Sequence, residues 1–223
     1  MKVTLPAMLK GMIFLLSFLW LNTTTAFAQP MEFVFNITST PATVELPLYG
    51  TVAVTVVWGD GDTDNYTTQG DKTHTYNTIG PKTVTITGTL AQFGKGINGS
   101  WTGVEYLTQV NSFGNLTGFT SLSGAFNDAD NLASVPTTLP GTVTNLSFAF
   151  TNIDQALITN LESWNVSAVT NFHGIFDHAS NFDQNIGGWN TGSALNMSYM
   201  FSYAEAFNQN LSAWETGSAT NMG

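Results

Sequence analysis

The sequence predicts a mainly β protein with short helical turns, built as a β-sandwich followed by a solenoid of coils about 25 residues long. Three observations carry that prediction. Residues 29 to about 96 alternate apolar and polar side chains with period two. From residue 97 onward one phrase returns at a fixed interval. Polarity throughout comes from Asn, Thr, Ser and Gly, because only 9% of residues are charged, far below the usual quarter.

The first 28 residues read as an address. Lys2 and Lys10 flank the approach to the apolar run Met12 to Leu21, and Ala26-Phe27-Ala28 closes it. A charged start, a short apolar run and an A-x-A site describe a secretory signal peptide. A run of about ten apolar residues is too short to span a bilayer, so no transmembrane segment is expected in the mature chain. The chain has no cysteine, which excludes disulfides, thiolate metal sites, a cysteine nucleophile and lipoprotein anchoring. Exported domains of this kind must stand on packing, repetition or bound ions.

Past the leader, three Lys (Lys72, Lys82, Lys95) face fifteen acids and there is no Arg. Nucleic-acid binding needs clustered cations to displace counterions, so that partner class is excluded.

In the sandwich, assigned to residues 29–96, Phe33, Phe35 and Ile37 alternate, as do Val44, Leu46 and Leu48. Val52, Val54, Val56 and Trp58 make the clearest run, and Val84 and Ile86 repeat it. Turn signals fall at Tyr49-Gly50, Gly59-Asp60-Gly61, Gly70-Asp71 and Gly80-Pro81. Asp60, Asp62, Asp64 and Asp71 invite a calcium reading. Position six of such a loop requires Gly and here is Asn65, and position twelve requires Glu and here is Asp71. The tip therefore reads as a tight turn, with Asp60 accepting backbone N–H bonds.

The stretches "VTVVWGDG" and "HTYNTIGPKTVTITG" resemble the PKD-type β-sandwich domain over roughly residues 32 to 90. The resemblance implies an extracellular spacer or presentation module without catalysis.

The second part is assigned to residues 97–223. Trp164, Trp189 and Trp214 stand 25 apart, as do Asn171, Asn196 and Asn221. Phe176 pairs with Phe201 and Phe182 with Phe207 at the same interval, and "SLSGAF" matches "NLSFAF" at 24. Four coils are visible behind an irregular cap, and a fifth begins at Asn221. Leu146, Ala149 and Phe150 align with Phe172, Ile175 and Phe176, and with Met197, Met200 and Phe201. Apolar residues at i, i+3 and i+4 predict a helical turn, with Asn145 and Asn171 placed as N-caps. Phe182 to Trp189, and its counterpart Phe207 to Trp214, read as a short strand and bend. A single coil has too few large apolar side chains to offset its own ordering, so stacking must supply the core. Trp164, Trp189 and Trp214, with Phe150, Phe176 and Phe201, are the expected structural core of that stack. A Trp ladder could instead serve as a sugar platform.

"NMSYMFSYAEAFNQNLSAWETGSATNM" is similar to the BspA-like leucine-rich repeat of bacterial surface proteins, over about residues 105 to 223. The last two coils match best. The resemblance makes the solenoid leucine-rich-repeat-like and implies surface display and adhesion. The phrase stops after Asn221-Met222, so the natural chain is expected to continue with further coils.

No catalytic constellation emerges. His173 and His178 are five apart and do not recur in neighbouring coils, where Ser198 and Tyr203 stand instead. There is no G-x-S-x-G elbow, and Gly94-Lys95-Gly96 lacks the remaining signature of a phosphate loop. The T-x-T array of an ice-binding solenoid does not recur. The sequons at Asn98 and Asn196 are expected by chance in an Asn- and Ser-rich chain. We therefore expect no enzyme, no cofactor and no metal. The expected role is a secreted or cell-surface interaction protein, taking an extracellular protein, matrix or glycan partner on its repeat face. The alternative is a carbohydrate-binding or spacer module of a larger polysaccharide-active protein. The polar residues at Asp183-Gln184-Asn185 and Asn208-Gln209-Asn210 should line up along the stack. Asn185 and Asn210 would then bond their neighbours as an amide ladder, leaving Asp183 and Asn208 as candidate partner contacts.

Overall fold

The computed structural model describes residues 29–155 and 157–223; the leader expected at 1–28 lies outside the described residues. The chain is mainly β. Strands β1 (Met31–Ile37), β2 (Ala42–Val57), β3 (Thr63–Tyr66), β4 (Gly70–Tyr76), β5 (Gly80–Phe93) and β6 (Leu107–Phe113) form one antiparallel sheet. Its order is β3-β2-β5-β1-β6, with β4 also on β2.

The strands are longer and more widely shared than the alternation alone suggests. Tyr49-Gly50 reads as a turn in the sequence, yet β2 passes through it as one strand of 16 residues. A register shift against β5 between Tyr49 and Val52 absorbs the irregularity as a bulge. The first half of β2 pairs with β4, from Ala42↔Tyr76 to Leu48↔Gly70. The second half pairs with β3 on one side and β5 on the other. Short strands of two separate sheets are thus replaced by bent strands in one open hydrogen-bonded sheet.

Alternation places Phe33 and Phe35 of β1, Val44, Leu46 and Leu48 of β2, and Ile86 and Leu90 of β5 in the core. Phe33 stacks on Phe93 at 4.6 Å between ring centroids. Trp101 meets Phe35 and Phe93 edge-on at 6.0 Å each and donates its indole N–H to the Ala125 carbonyl. That last bond already belongs to the second half of the chain.

The boundary expected at residues 96 and 97 is crossed by the sheet, because β6 comes from the segment assigned to the cap and pairs with β1. From there parallel bridges leave the sheet, a single one from Thr89 to Thr117 and two longer lines. One runs from Gln92 of β5 to Ser121, Asn145, Asn171, Asn196 and Asn221. The other runs from Gln109 of β6 to Ser134 and Thr159. Successive repeat segments are therefore hydrogen-bonded to one another and, at their start, to the sheet. Leu146, Phe172, Phe176, Phe182 and Ile186 fill the interior between these segments and are buried.

The helical turns expected at Leu146–Phe150 and its counterparts do not form. Each segment instead carries two residues of positive φ, four apart: Phe148 and Asn152, Gly174 and His178, Tyr199 and Tyr203. A right-handed helix cannot pass through them. The i, i+3, i+4 apolar spacing is real, and a chain of tight turns satisfies it as well as a helix would. Among the described residues, the helical elements are three short 3₁₀ turns, one of them Leu161–Ser163.

Candidate interaction surface

The repeat segments are held by an alternation in where the backbone N–H groups point. The N–H groups of Leu146, Phe148, Phe150 and Asn152 donate to the carbonyls of Asn171, His173, Ile175 and Asp177 in the next segment. Those of Ala149 and Thr151 turn inward to Leu146 and Phe148 three residues back. The following segment repeats the scheme, with Phe172, Gly174, Phe176 and His178 donating to Asn196, Ser198, Met200 and Ser202. A helix would keep all these donors to itself; here every second one is exported to the neighbour.

Asn starts each segment for a related reason. Asn145, Asn171 and Asn196 accept the N–H two residues on, at Ser147, His173 and Ser198, over 3.0 to 3.1 Å. These are Asx turns rather than helix N-caps. Asn185 and Asn210 do the same toward Gly187 and Ser212. The amide ladder expected between Asn185 and Asn210 is therefore absent, because each amide oxygen is used locally. No strand is formed at Phe182–Ile186 either. Side chains stitch the segments there instead: Gln184 accepts the Ile158 N–H through its amide oxygen.

Inside, Phe126, Phe150, Phe176 and Phe201 stack at 5.2 to 5.8 Å between successive centroids. Trp164 and Trp189 are buried, and each donates its indole N–H to a carbonyl of the preceding segment, Pro136 and Leu161. Trp214 continues the series, 6.5 Å from Trp189 and nearly parallel to it, and is half-buried. Rings closed off on both faces, as at Trp189, offer no sugar platform.

On the outer faces, Asp183 and Asn208 are exposed, yet Asp183 is already engaged. Its carboxylate accepts the Asn208 N–H at 2.8 Å and the Gln209 amide at 2.9 Å. The Asn208 N–H, and secondarily Gln209, hold its carboxyl below the usual range. These residues seam two segments together.

A different cluster is left open, and it was not legible as a site in the sequence. Gly174 has no side chain, and the Phe148 ring lies over that space. Phe148 then meets the edge of His173 at 4.7 Å, and His173 meets Tyr199 at 5.6 Å. His178 stacks on Tyr203 at 4.4 Å. The His173 Nδ1 lies 2.6 Å from the Ser198 hydroxyl and 3.1 Å from its carbonyl, which can only accept, so Nδ1 carries a proton. Tyr199 and Tyr203 are 60% and 67% exposed. They sit at the positive-φ positions, whose side chains the turns turn outward. The signal was weak because the repeat holds no fixed residue type at these positions: Phe148, Gly174 and Tyr199 correspond, as do Asn152, His178 and Tyr203.

At the far end of the sheet, the β2–β3 hairpin tip is a turn in which Trp58 donates its N–H to the Asp62 carbonyl. Asp60 Oδ1 accepts the Asp62 N–H at 3.2 Å, while Oδ2 accepts from His74 Nε2 at 2.8 Å. Burial opposes ionisation of Asp60, but the bonds from His74 and Asp62 outweigh it and hold its carboxyl low. Asp64 binds the Trp58 indole and the Tyr66 hydroxyl, and burial followed by that carboxylate pushes Tyr66 up to about 12. Asp71 is paired with Lys95 at 2.8 Å, alongside Glu45. Asp60, Asp64 and Asp71 are thus committed to separate partners while Asp62 lends only its backbone to the turn, so the four carboxylates do not converge as a calcium loop requires. Gly61 has φ +110° with open space around it, so Gly61→Val costs backbone strain alone, about 1–3 kcal/mol. Urea unfolding should show that loss, and millimolar calcium should leave the melting temperature of the native chain unchanged.

The fold and this surface define a mainly β protein of bridged repeat segments with an exposed aromatic face. The family described as "Mycoplasma protein of unknown function, DUF285" matches residues 120–223, the stretch that starts one residue before the first repeat bridge at Ser121. No curated protein and no solved structure matches the chain.

Proposed function

We propose that this chain is an exported, non-catalytic interaction protein, in which a PKD-like sheet module carries a leucine-rich-repeat-like solenoid of the BspA type. The solenoid binds an extracellular protein or matrix partner along its side rather than in a pocket. The observation that carries this reading is the open cluster of His173, His178, Tyr199 and Tyr203. Stacking uses the inner aromatics and the Asp183 seam, whereas Tyr199 and Tyr203 leave most of their surface to solvent beside His173 and His178. Tyr is favoured at interfaces because it offers large area and a polar tip at low entropic cost. Residues 97–223 carry nine acids and no Lys or Arg, which disfavours an acidic partner.

The test is a double variant, Tyr199→Ser with Tyr203→Ser, compared with the native chain on sensor surfaces carrying extracellular-matrix preparations. Affinity should fall at least about tenfold, as loss of interface tyrosines does. Stability should change by less than about 0.5 kcal/mol, since both rings are exposed. Unchanged binding by a folded double variant would remove this face from the function.

A further inference from the structure

We propose that Asp60, Asp62 and His74 form a site for a divalent transition-metal ion of the zinc type. The inference is independent of the interaction surface, which lies on the repeat segments. Each of these residues offers one ligand atom, and the three atoms lie within 4.8 Å of one another. Two come from the hairpin tip and the third from β4, whose His74 stacks on Trp58 beside that tip. The linear run of acids at 60, 62, 64 and 71 conceals this arrangement, since the third ligand is a histidine outside it.

The donor set selects the ion. Calcium takes six to eight oxygens, and Asp64 and Asp71 are committed elsewhere. One imidazole and two carboxylates suit zinc and its neighbours, with water completing the sphere. Zinc–ligand distances of about 2.0–2.2 Å separate tetrahedral donors by roughly 3.3–3.5 Å. The His74 to Asp60 contact of 2.8 Å must therefore open slightly, and the exposed Asp62 carboxylate must swing inward.

The imidazole is already fixed for the purpose. Trp58 stacks on the His74 ring at 4.6 Å and 12°, and Tyr76 packs against that ring edge-on at 4.7 Å. The His74 side chain is 11% exposed. Tyr76 is itself anchored by donating its hydroxyl to the Trp58 carbonyl at 2.7 Å. Asp60 is oriented by the Asp62 N–H, leaving Oδ2 as the oxygen that faces the ring. Metal entry displaces the proton on Nε2. It moves to Nδ1 when the ring is neutral and is released to solvent when the ring is charged.

Zinc chloride titrated calorimetrically into the full chain is expected to bind one to one. In parallel, nickel should broaden the NMR signals of the His74 ring and the Trp58 indole before those of His173 and His178. Asp62→Asn keeps the turn, because only the Asp62 backbone is bonded there, and should weaken zinc at least about tenfold. His74→Ala should abolish it. Absence of binding at millimolar zinc would show that Asp60 and His74 are a hydrogen-bonded pair only. Binding that survives Asp62→Asn unchanged, or that broadens His173 and His178 first, would equally overturn the site.

Discussion

Trp189→Ala is expected to destabilise the protein by about 3–5 kcal/mol, the range for emptying a large buried aromatic site. Trp189 is 2% exposed, stacks on Trp214, and lies 6.1 Å from both Phe172 and Phe176. Its removal leaves a void between two segments that cannot collapse, because the backbone bonds on either side fix their spacing. The Leu161 carbonyl loses its indole donor as well. Chemical denaturation should show the loss as an earlier midpoint for the repeat segments. A loss under about 1 kcal/mol accompanied by disappearance of partner binding would instead make the Trp series a binding platform.

Gly94→Ala is the second large effect, and it acts at the join. Gly94 has φ +116°, and a Cβ there would lie 2.2 Å from the Ser123 carbonyl oxygen and 2.6 Å from the Ala125 nitrogen. Both obstacles are backbone, so no side chain can rotate away. Strain at this φ and forced overpacking together amount to roughly 2–6 kcal/mol. The neighbouring bonds, Phe93 N–H to Ser121 and Gly96 N–H to Ser123, should break with it. Hydrogen exchange should report faster exchange at exactly those two amides and at the Trp101 indole, with β1 little changed. Protection that is lost evenly across the sheet would contradict a local join.

Much of this architecture was legible because it rests on periodicity. The period of two marked the buried faces of β1, β2 and β5, and the Trp and Phe spacing marked the stacked interior. What periodicity could not show is where the backbone donors go. Leu146, Ala149 and Phe150 have helical spacing, yet the positive φ of Phe148 and Asn152 produces turns whose N–H groups reach the next segment. Nothing in residue type requires φ > 0 of a Phe or a Tyr; the neighbour's carbonyls impose it. Asp183 looked outward and free for a similar reason, since the bond it accepts comes from a main-chain N–H 25 residues away. The exposed aromatic cluster was hidden because its positions recur without a fixed residue type. His74 was hidden because strand pairing, not sequence distance, sets its neighbour.

The two lines of bridges that leave β5 and β6 also set a direction for folding. Any two adjacent segments can pair with each other, but the first also has the finished edge of the sheet. Each addition then closes a loop of nearly constant length, so the entropic toll of each step is the same and small. The sheet edge is thereby a template already formed when the first repeat segment arrives. A polypeptide delivered amino-terminus first can consolidate as it emerges, without waiting for its last residues.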